Sequence, residues 1–235
     1  TLAAKGQPNA LAVIALSPRG TMFDPGPCVY MEKLAGSEDI ADLLDLDRPL
    51  PKTIELVAER RGVGVGDIMV IALDRPRHTE TIKEIIACGA RVRLIDHGDV
   101  SASMLAVSER TSVDLLWGIG GTPEGVISAA AIKSLGGGFI GRLWPRDNDE
   151  RQQAVDAGYD LERQLTQDDL VRGDDCFFAA TGVTEGDVLQ GVRYIGATAA
   201  TTESLVMRSR SGTVRRVHAR HDRRKLRELH AERYG

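Results

Sequence analysis

Short apolar runs alternate with helical patterns along most of this chain, and the alternation predicts its elements. Residues 9–17 (NALAVIALS) read as a buried strand, followed by the turn residues Pro18-Arg19-Gly20 and a second short strand near 21–23. Residues 29–34 suit a third, so the chain is expected to open with antiparallel strands. Residues 36–52 are polar and acidic and hold Pro49 and Pro51, as a connection between subdomains would. The period then changes. Helices are predicted over 53–61, 78–88 and 100–108; Ile54, Val57 and Ala58 mark the apolar face of the first, and Ile82, Ile85 and Ile86 that of the second. Apolar strands are predicted at 67–73, 91–95 and 113–117. A helix from Pro123 to Leu135, a strand over 138–144, a polar helix over 147–164 and a strand over 176–180 follow. Residues 201–217 alternate like strands about the Ser211-Gly212 turn. Strand and helix alternating at this spacing argue for an α/β sheet.

Composition narrows the class. With 235 residues, 42% of them hydrophobic, the chain can bury a substantial core, and aromatics at 4% leave that core to Ala, Val, Leu and Ile. No apolar run approaches the roughly 18 residues of a membrane span, so no membrane partner is expected. The chain starts at Thr1 with no secretory pattern. Cys28, Cys88 and Cys176 match no metal spacing and cannot all pair, which predicts buried thiols in a cytoplasmic protein. The net charge of −4 conceals a basic tail: from Arg208 onward ten basic residues face three acids. A nucleic-acid arm would need binding chemistry that this tail, with Tyr234 its only aromatic residue, does not offer. A solvated helix or an oligomer contact fits better, and no nucleic-acid partner is expected.

Candidate chemistry gathers behind the strands. The run Gly118-Ile119-Gly120-Gly121-Thr122-Pro123-Glu124-Gly125 follows the strand VDLLW and opens a helix. A glycine turn into a helix start presents free N–H groups to an anion, with Thr122 as expected N-cap and Pro123 at the first helical position. Glu124 falls on that first turn, where a carboxylate beside a phosphate-sized hole suits a divalent-metal phosphoryl site. On spacing alone the plainer reading is preferred, since acidic residues favour helix starts for dipole reasons. A dinucleotide fold fails, because Pro123 stands where the third glycine belongs and no acidic residue ends a second strand about 20 residues later. Two further polar loops follow strands: Arg75-Pro76-Arg77-His78 and Asp96-His97-Gly98-Asp99. In open α/β sheets this edge binds ligands. Two arginines with carboxylates suit a phosphorylated polyol, the cations for phosphate and the acids for hydroxyls and metal.

Together these residues resemble class II fructose-1,6-bisphosphatase, the bacterial type that often accepts sedoheptulose 1,7-bisphosphate as well. The resemblance runs through Gly6-Gln7-Pro8-Asn9-Ala10, Tyr30-Met31-Glu32-Lys33-Leu34, Arg75-Pro76-Arg77-His78, Gly98-Asp99-Val100, the Gly118 to Val126 run, Ala180-Thr181-Gly182-Val183-Thr184 and Ala200-Thr201-Thr202-Glu203. More loosely, the Pro-Glu-Gly helix followed by Gly-Gly-Gly-Phe-Ile-Gly resembles the lithium-sensitive metal phosphatases, inositol monophosphatase among them. The resemblance implies an α/β fold, a layered αβαβα sandwich with part of the first layer missing. It implies a division into 1–45, a remnant of an N-terminal antiparallel-sheet domain, and 46–235, a C-terminal α/β domain. It also implies metal-dependent loss of the 1-phosphate with Mn²⁺ or Mg²⁺, by in-line attack of a metal-activated water, in gluconeogenesis or pentose metabolism. A cytoplasmic homo-oligomer acting on a sugar bisphosphate is expected.

By resemblance Glu124 is a metal ligand, and Gly121 contacts substrate. Tyr30, Arg75, Pro76 and Arg77 lie at the phosphate end, while Gly98 and Asp99 meet sugar hydroxyls. His97 departs from the family's usual Asp, which weakens the assignment there and leaves Asp99 intact. Read without the resemblance, Tyr30 is a half-buried strand residue, Asp99 a helix N-cap, and Arg75 and Arg77 a solvated loop. The family carries most acidic metal ligands, and an Asp-Pro-x-Glu/Asp-Gly-Thr motif, ahead of the matched region. The motif's water-holding threonine is expected just upstream of Thr1 or at Thr1 itself. The chain is therefore expected to be a C-terminal portion, inactive alone. The alternatives are a sugar-phosphate-binding module without catalysis and an inositol-type monophosphatase.

Overall fold

Two sheets organise the chain in the computed structural model, which describes residues 2–108 and 111–234. The strands are β1 (Leu11–Leu16), β2 (Tyr30–Gly36), β3 (Met69–Leu73), β4 (Arg91–Ile95), β5 (Leu115–Gly121), β6 (Gly138–Leu143), β7 (Leu165–Thr166), β8 (Phe177–Gly182), β9 (Arg193–Ile195), β10 (Ala199–Arg208) and β11 (Thr213–Asp222). The helices are α1 (Leu50–Arg61), α2 (Thr79–Ala87), α3 (Asp99–Val107), α4 (Thr122–Leu135), α5 (Asn148–Asp156), α6 (Gln167–Leu170) and α7 (Arg223–Tyr234). A six-stranded mixed sheet runs in the order β4-β3-β5-β2-β6-β7, with β3 parallel to β4 and β5, and β2 antiparallel to β5 and β6. A five-stranded antiparallel sheet runs β1-β8-β10-β11, and β9 pairs with β10. The chain is thus α/β, with two sheets and helices packed on them.

Hydrophobicity decides which helices go inside. One face of the six-stranded sheet is covered by α1 and α2 through Ile54, Val57 and Ile85 against Val70, Leu115 and Trp117. The opposite face, with Met31, Ile71 and Leu116, receives Ala102, Leu105, Ala129 and Ile132 of α3 and α4. Met104 and Ala131 of the same two helices then meet Phe178, Leu205 and Met207 of the five-stranded sheet. A helix apolar all round must be covered all round. Every residue of 101–107 in α3 is buried, and Ala129, Ala130 and Ala131 of α4 let both sheets approach. The far side of the five-stranded sheet leaves Ile14, Leu16 and Phe177 exposed.

Several expectations change. The antiparallel opening fails: β1 pairs with β8 and β2 with β5 and β6, so the first two strands enter different sheets. The segment 21–23 contributes only a bridge from Met22 to Val171. The division expected near residue 45 does not follow the sheets, because both are completed by strands from beyond it. The connection 36–52 holds a 3₁₀ turn, Glu38–Leu43, and the first turn of α1. The polar helix stops at Asp156, before Gly158 takes a φ of +83°, and β7 begins just past its expected end. The tail forms β11, in line with the alternation of 201–217, and α7, a helix as its charge pattern suggested.

Candidate active site

At the carboxyl ends of β3, β4 and β5 lies a cavity of about 660 Å³, closed on its other side by Ala10, Leu11 and Val13 around the start of β1. Tyr30, Arg75, Arg77, His97, Gly98, Asp99, Gly121 and Glu124 all line it. Pro76 is not in the lining; it opens the 3₁₀ turn Pro76–His78 that separates the two arginines. Thr1 lies outside the described residues. A cavity of this size suits a small-molecule ligand.

The glycine run is not the turn that its composition suggests. Gly118, Gly120 and Gly121 belong to β5 and pair with Lys33, Met31 and Tyr30 of β2. None of the three has positive φ. Their value is the missing side chain: a Cβ at Gly120 would collide with the Asp99 carboxylate, and one at Gly121 with that of Glu124. A Cβ at Gly125, on the first turn of α4, would lie 2.9 Å from Met31 Sδ. Thr122 is not the N-cap either, a position held by Gly121. Its hydroxyl donates instead to the Cys28 carbonyl at 2.9 Å and its N–H to the Val29 carbonyl at 2.8 Å, which fastens the helix start to the segment leading into Tyr30.

The two arginines are held differently. Arg77 donates from Nε and Nη2 to the Ile119 carbonyl, at 3.1 and 2.6 Å, and its guanidinium lies 4.9 Å from the centre of the Tyr30 ring. This double anchor fixes the planar group at the strand end and leaves Nη1 without a protein acceptor among the described residues. Arg75 bridges two strand ends, donating to the Asp74 carbonyl at 2.6 Å and to that of Asp96, with Nη2 3.2 Å from His97 Nδ1. His97 therefore meets Arg75 at the cavity rim. On the far side of Tyr30, Glu150 accepts from the backbone N–H groups of Val29 and Arg146 at 3.0 and 2.7 Å. Burial pushes the Glu150 carboxyl up, but these donors and the Arg146 guanidinium prevail and hold it below the usual carboxylate value.

Two buried residues complete the site and were missed by sequence reasoning. His78 is fully buried between strand ends. Its Nδ1 lies 2.8 Å from the Leu73 carbonyl and its Nε2 accepts the Ile119 N–H at 2.9 Å, so the ring is neutral with the proton on Nδ1. Burial is the main cause of its lowered pKa, and Arg77 adds to it. Lys33, 1% exposed in the middle of β2, donates to Asp99 Oδ2 at 2.6 Å. An ionisable residue inside an apolar strand was the signal available for it.

Glu124 is exposed, and no described residue donates a hydrogen bond to it. Among the described residues no group of three His, Cys, Asp or Glu side chains comes together as a metal would require. Residues 2–108 and 111–234 thus offer one available carboxylate and not a complete metal centre. Nor is any described helix long and apolar enough to cross a membrane.

A sequence model described as bacterial fructose-1,6-bisphosphatase, glpX-encoded, matches residues 1–221. The chain is 38% identical over 233 residues to the fructose-1,6-bisphosphatase class 2 of Haemophilus influenzae, which covers 94% of this chain and 69% of that protein. It is 40% identical over 233 residues to the D-fructose 1,6-bisphosphatase class 2/sedoheptulose 1,7-bisphosphatase of Synechococcus sp. (strain JA-3-3Ab), covering 94% of this chain and 67% of that one. The chain spans about two thirds of the length of these relatives. It belongs to the bacterial fructose-1,6-bisphosphatase family, class 2.

Proposed function

We propose that this chain is the sugar-bisphosphate-binding part of a class 2 fructose-1,6-bisphosphatase, a phosphoric monoester hydrolase that removes the 1-phosphate of fructose 1,6-bisphosphate and also accepts sedoheptulose 1,7-bisphosphate. The observation that carries this reading is the convergence of Arg77, Tyr30, Asp99 and Glu124 on one cavity in a chain of this family. Arg77, anchored on Ile119, offers a charge-assisted donor to the distal phosphate, with Arg75 beside it. The Tyr30 ring under Arg77 keeps that guanidinium in place. Asp99 accepts from sugar hydroxyls, with Gly98 and His97 at its side. Glu124 supplies one ligand to Mg²⁺ or Mn²⁺, and Gly121 leaves room for the reacting phosphate beside it. A bound cation of this kind would polarise the 1-phosphate and its attacking water. The layered αβαβα arrangement of the lithium-sensitive phosphatases, a cytoplasmic location and homo-oligomeric assembly belong to the same proposal.

Loss of the 1-phosphate leaves fructose 6-phosphate, which makes that molecule a direct probe of the cavity. Calorimetric titration of the chain with fructose 6-phosphate, inorganic phosphate and inositol 1-phosphate tests the reading. Fructose 6-phosphate is expected to bind tightest, and Arg77→Ala to weaken it. Equal binding of all three ligands, untouched by Arg77→Ala, would sink the proposal. A second reading, a module that binds sugar phosphate without hydrolysing it, is favoured for residues 1–235 taken alone by the missing group of metal-ligating side chains among those described.

A further inference from the structure

The most deeply buried charge among the described residues lies directly beneath this cavity. Lys33 is among the largest fully buried side chains, with its stem running beside Gly125: a Cβ there would lie 3.5 Å from Lys33 Cε. The ammonium emerges under Gly120, 3.1 Å from where a Cβ would be, and donates to Asp99 Oδ2 at 2.6 Å. The Asp99 side chain is 12% exposed and lines the cavity. An ammonium has three protons to donate, and Asp99 is its one partner among the described residues.

This arrangement has no advantage as packing. Replacing a buried ion pair with apolar side chains of similar volume is often neutral or stabilising. A methionine would fill the space of the Lys33 stem, and Met31 Sδ already lies beside Gly125 with it. What the ammonium does provide is a fixed carboxylate. With Oδ2 held from below, Asp99 keeps one orientation at the first turn of α3 and leaves Oδ1 without a protein donor among the described residues. An ionised carboxylate accepts hydrogen bonds and donates none. A group held this way selects hydroxyls and disfavours phosphate oxygens.

We propose that Lys33 is a positioning residue for sugar recognition: it acts through Asp99 to set the cavity's preference for a polyol over bare phosphate. This rests on the function proposed above. The test is calorimetry on the full chain with fructose 6-phosphate and inorganic phosphate, using wild type, Lys33→Met, Asp99→Asn and the double variant. Lys33→Met is expected to lower affinity for fructose 6-phosphate about ten-fold or more, the scale of one charge-assisted hydrogen bond, and to leave inorganic phosphate within about two-fold, because its arginine contacts are intact. The double variant, which leaves no unpaired charge, should fold well and bind fructose 6-phosphate as Asp99→Asn alone does. A double variant weaker than Asp99→Asn would overturn the proposal, as would Lys33→Met discriminating as wild type does. A wild-type chain that binds fructose 6-phosphate no better than phosphate would instead sink the function on which the inference rests.

Discussion

Gly120 and Gly121 are neighbours at the end of β5, yet a methyl group at each would meet a different kind of acid. At Gly120 it would strike Asp99, whose carboxylate is clamped by the buried Lys33 and cannot retreat. Overpacking of this sort costs about 1–3 kcal/mol, so Gly120→Ala should lower the urea midpoint clearly. At Gly121 it would strike Glu124, an exposed side chain with no donor, and the backbone there (φ −56°, ψ 135°) accepts alanine. Gly121→Ala should therefore stay within about 1 kcal/mol of wild type, even slightly stabilised by the stiffer unfolded chain, while displacing the Glu124 carboxylate. Equal destabilisation in the two variants would mean that Glu124 is as firmly held as Asp99. Arg77 lends itself to a ligand-based comparison. Removing its guanidinium deletes a charge-assisted donor worth roughly 1.5–3 kcal/mol, so Arg77→Ala should bind fructose 6-phosphate about ten-fold or more weakly. The double variant Arg223→Ala, Arg224→Ala removes twice as much charge from the basic tail and should change nothing. If the tail variant loses affinity and Arg77→Ala keeps it, the phosphate subsite lies elsewhere.

At the scale of elements, the turn Pro76–His78 joins two strands, because His78 receives the Ile119 N–H of β5 and reaches the Leu73 carbonyl of β3. Both bonds together require a neutral ring, and burial holds its pKa below the ordinary 6.5. The backbone hydrogen bonds to Leu73 and Ile119 and, more weakly, Asp99 oppose that shift, Arg77 adds to it, and burial prevails. A lowered histidine pKa means that the unfolded chain binds the proton first as pH falls. This contribution to stability is full above about pH 6.5 and is lost as pH falls from there toward the folded pKa. Urea unfolding between pH 8 and pH 5 should show wild type losing more stability on acidification than His78→Gln; parallel curves would refute the assignment. Sequence periodicity revealed the strands and helices around this junction, since α1 to α4 and β3 to β5 alternate in chain order and bury simple faces. It did not reveal that Gly118 to Gly121 is strand. Glycine reads locally as a turn, and the close approach of Asp99 and His78 that demands it comes from elements far along the chain, with only Glu124 nearby in sequence. Lys33 and His78 were hidden for the same reason, since their partners are set by sheet order. The pairing of β1 with β8, separated by the whole six-stranded sheet, left no local trace.

At the scale of the whole molecule, the proposed phosphate subsite sits at one sheet edge where no three metal-ligating side chains gather among the described residues. Arg75, Arg77 and Asp99 face the cavity with their supports in place, and those supports come from within the chain: Ile119, Lys33, His78 and Glu150. The proposed binding role draws on groups that residues 2–108 and 111–234 contain. Hydrolysis asks for more. Mg²⁺ dehydrates reluctantly and is held by carboxylates together with substrate phosphate oxygens, and in two-metal chemistry several acids must share the positive charge. Glu124 is one such acid; Asp99 is already paired with Lys33, and no third side chain joins them among the described residues. The exposed apolar side chains Ile14, Leu16 and Phe177 on the free side of the five-stranded sheet lie away from this edge and do not alter the balance. Residues 1–235 purified alone should accordingly bind fructose 6-phosphate but release little or no phosphate from fructose 1,6-bisphosphate in Mg²⁺ or Mn²⁺. Both measurements are made on one preparation, so that a failure to fold would show as loss of binding. Robust metal-dependent release from this chain, abolished by Glu124→Ala, would mean that a metal centre assembles here from fewer acids than the charge of the ion demands.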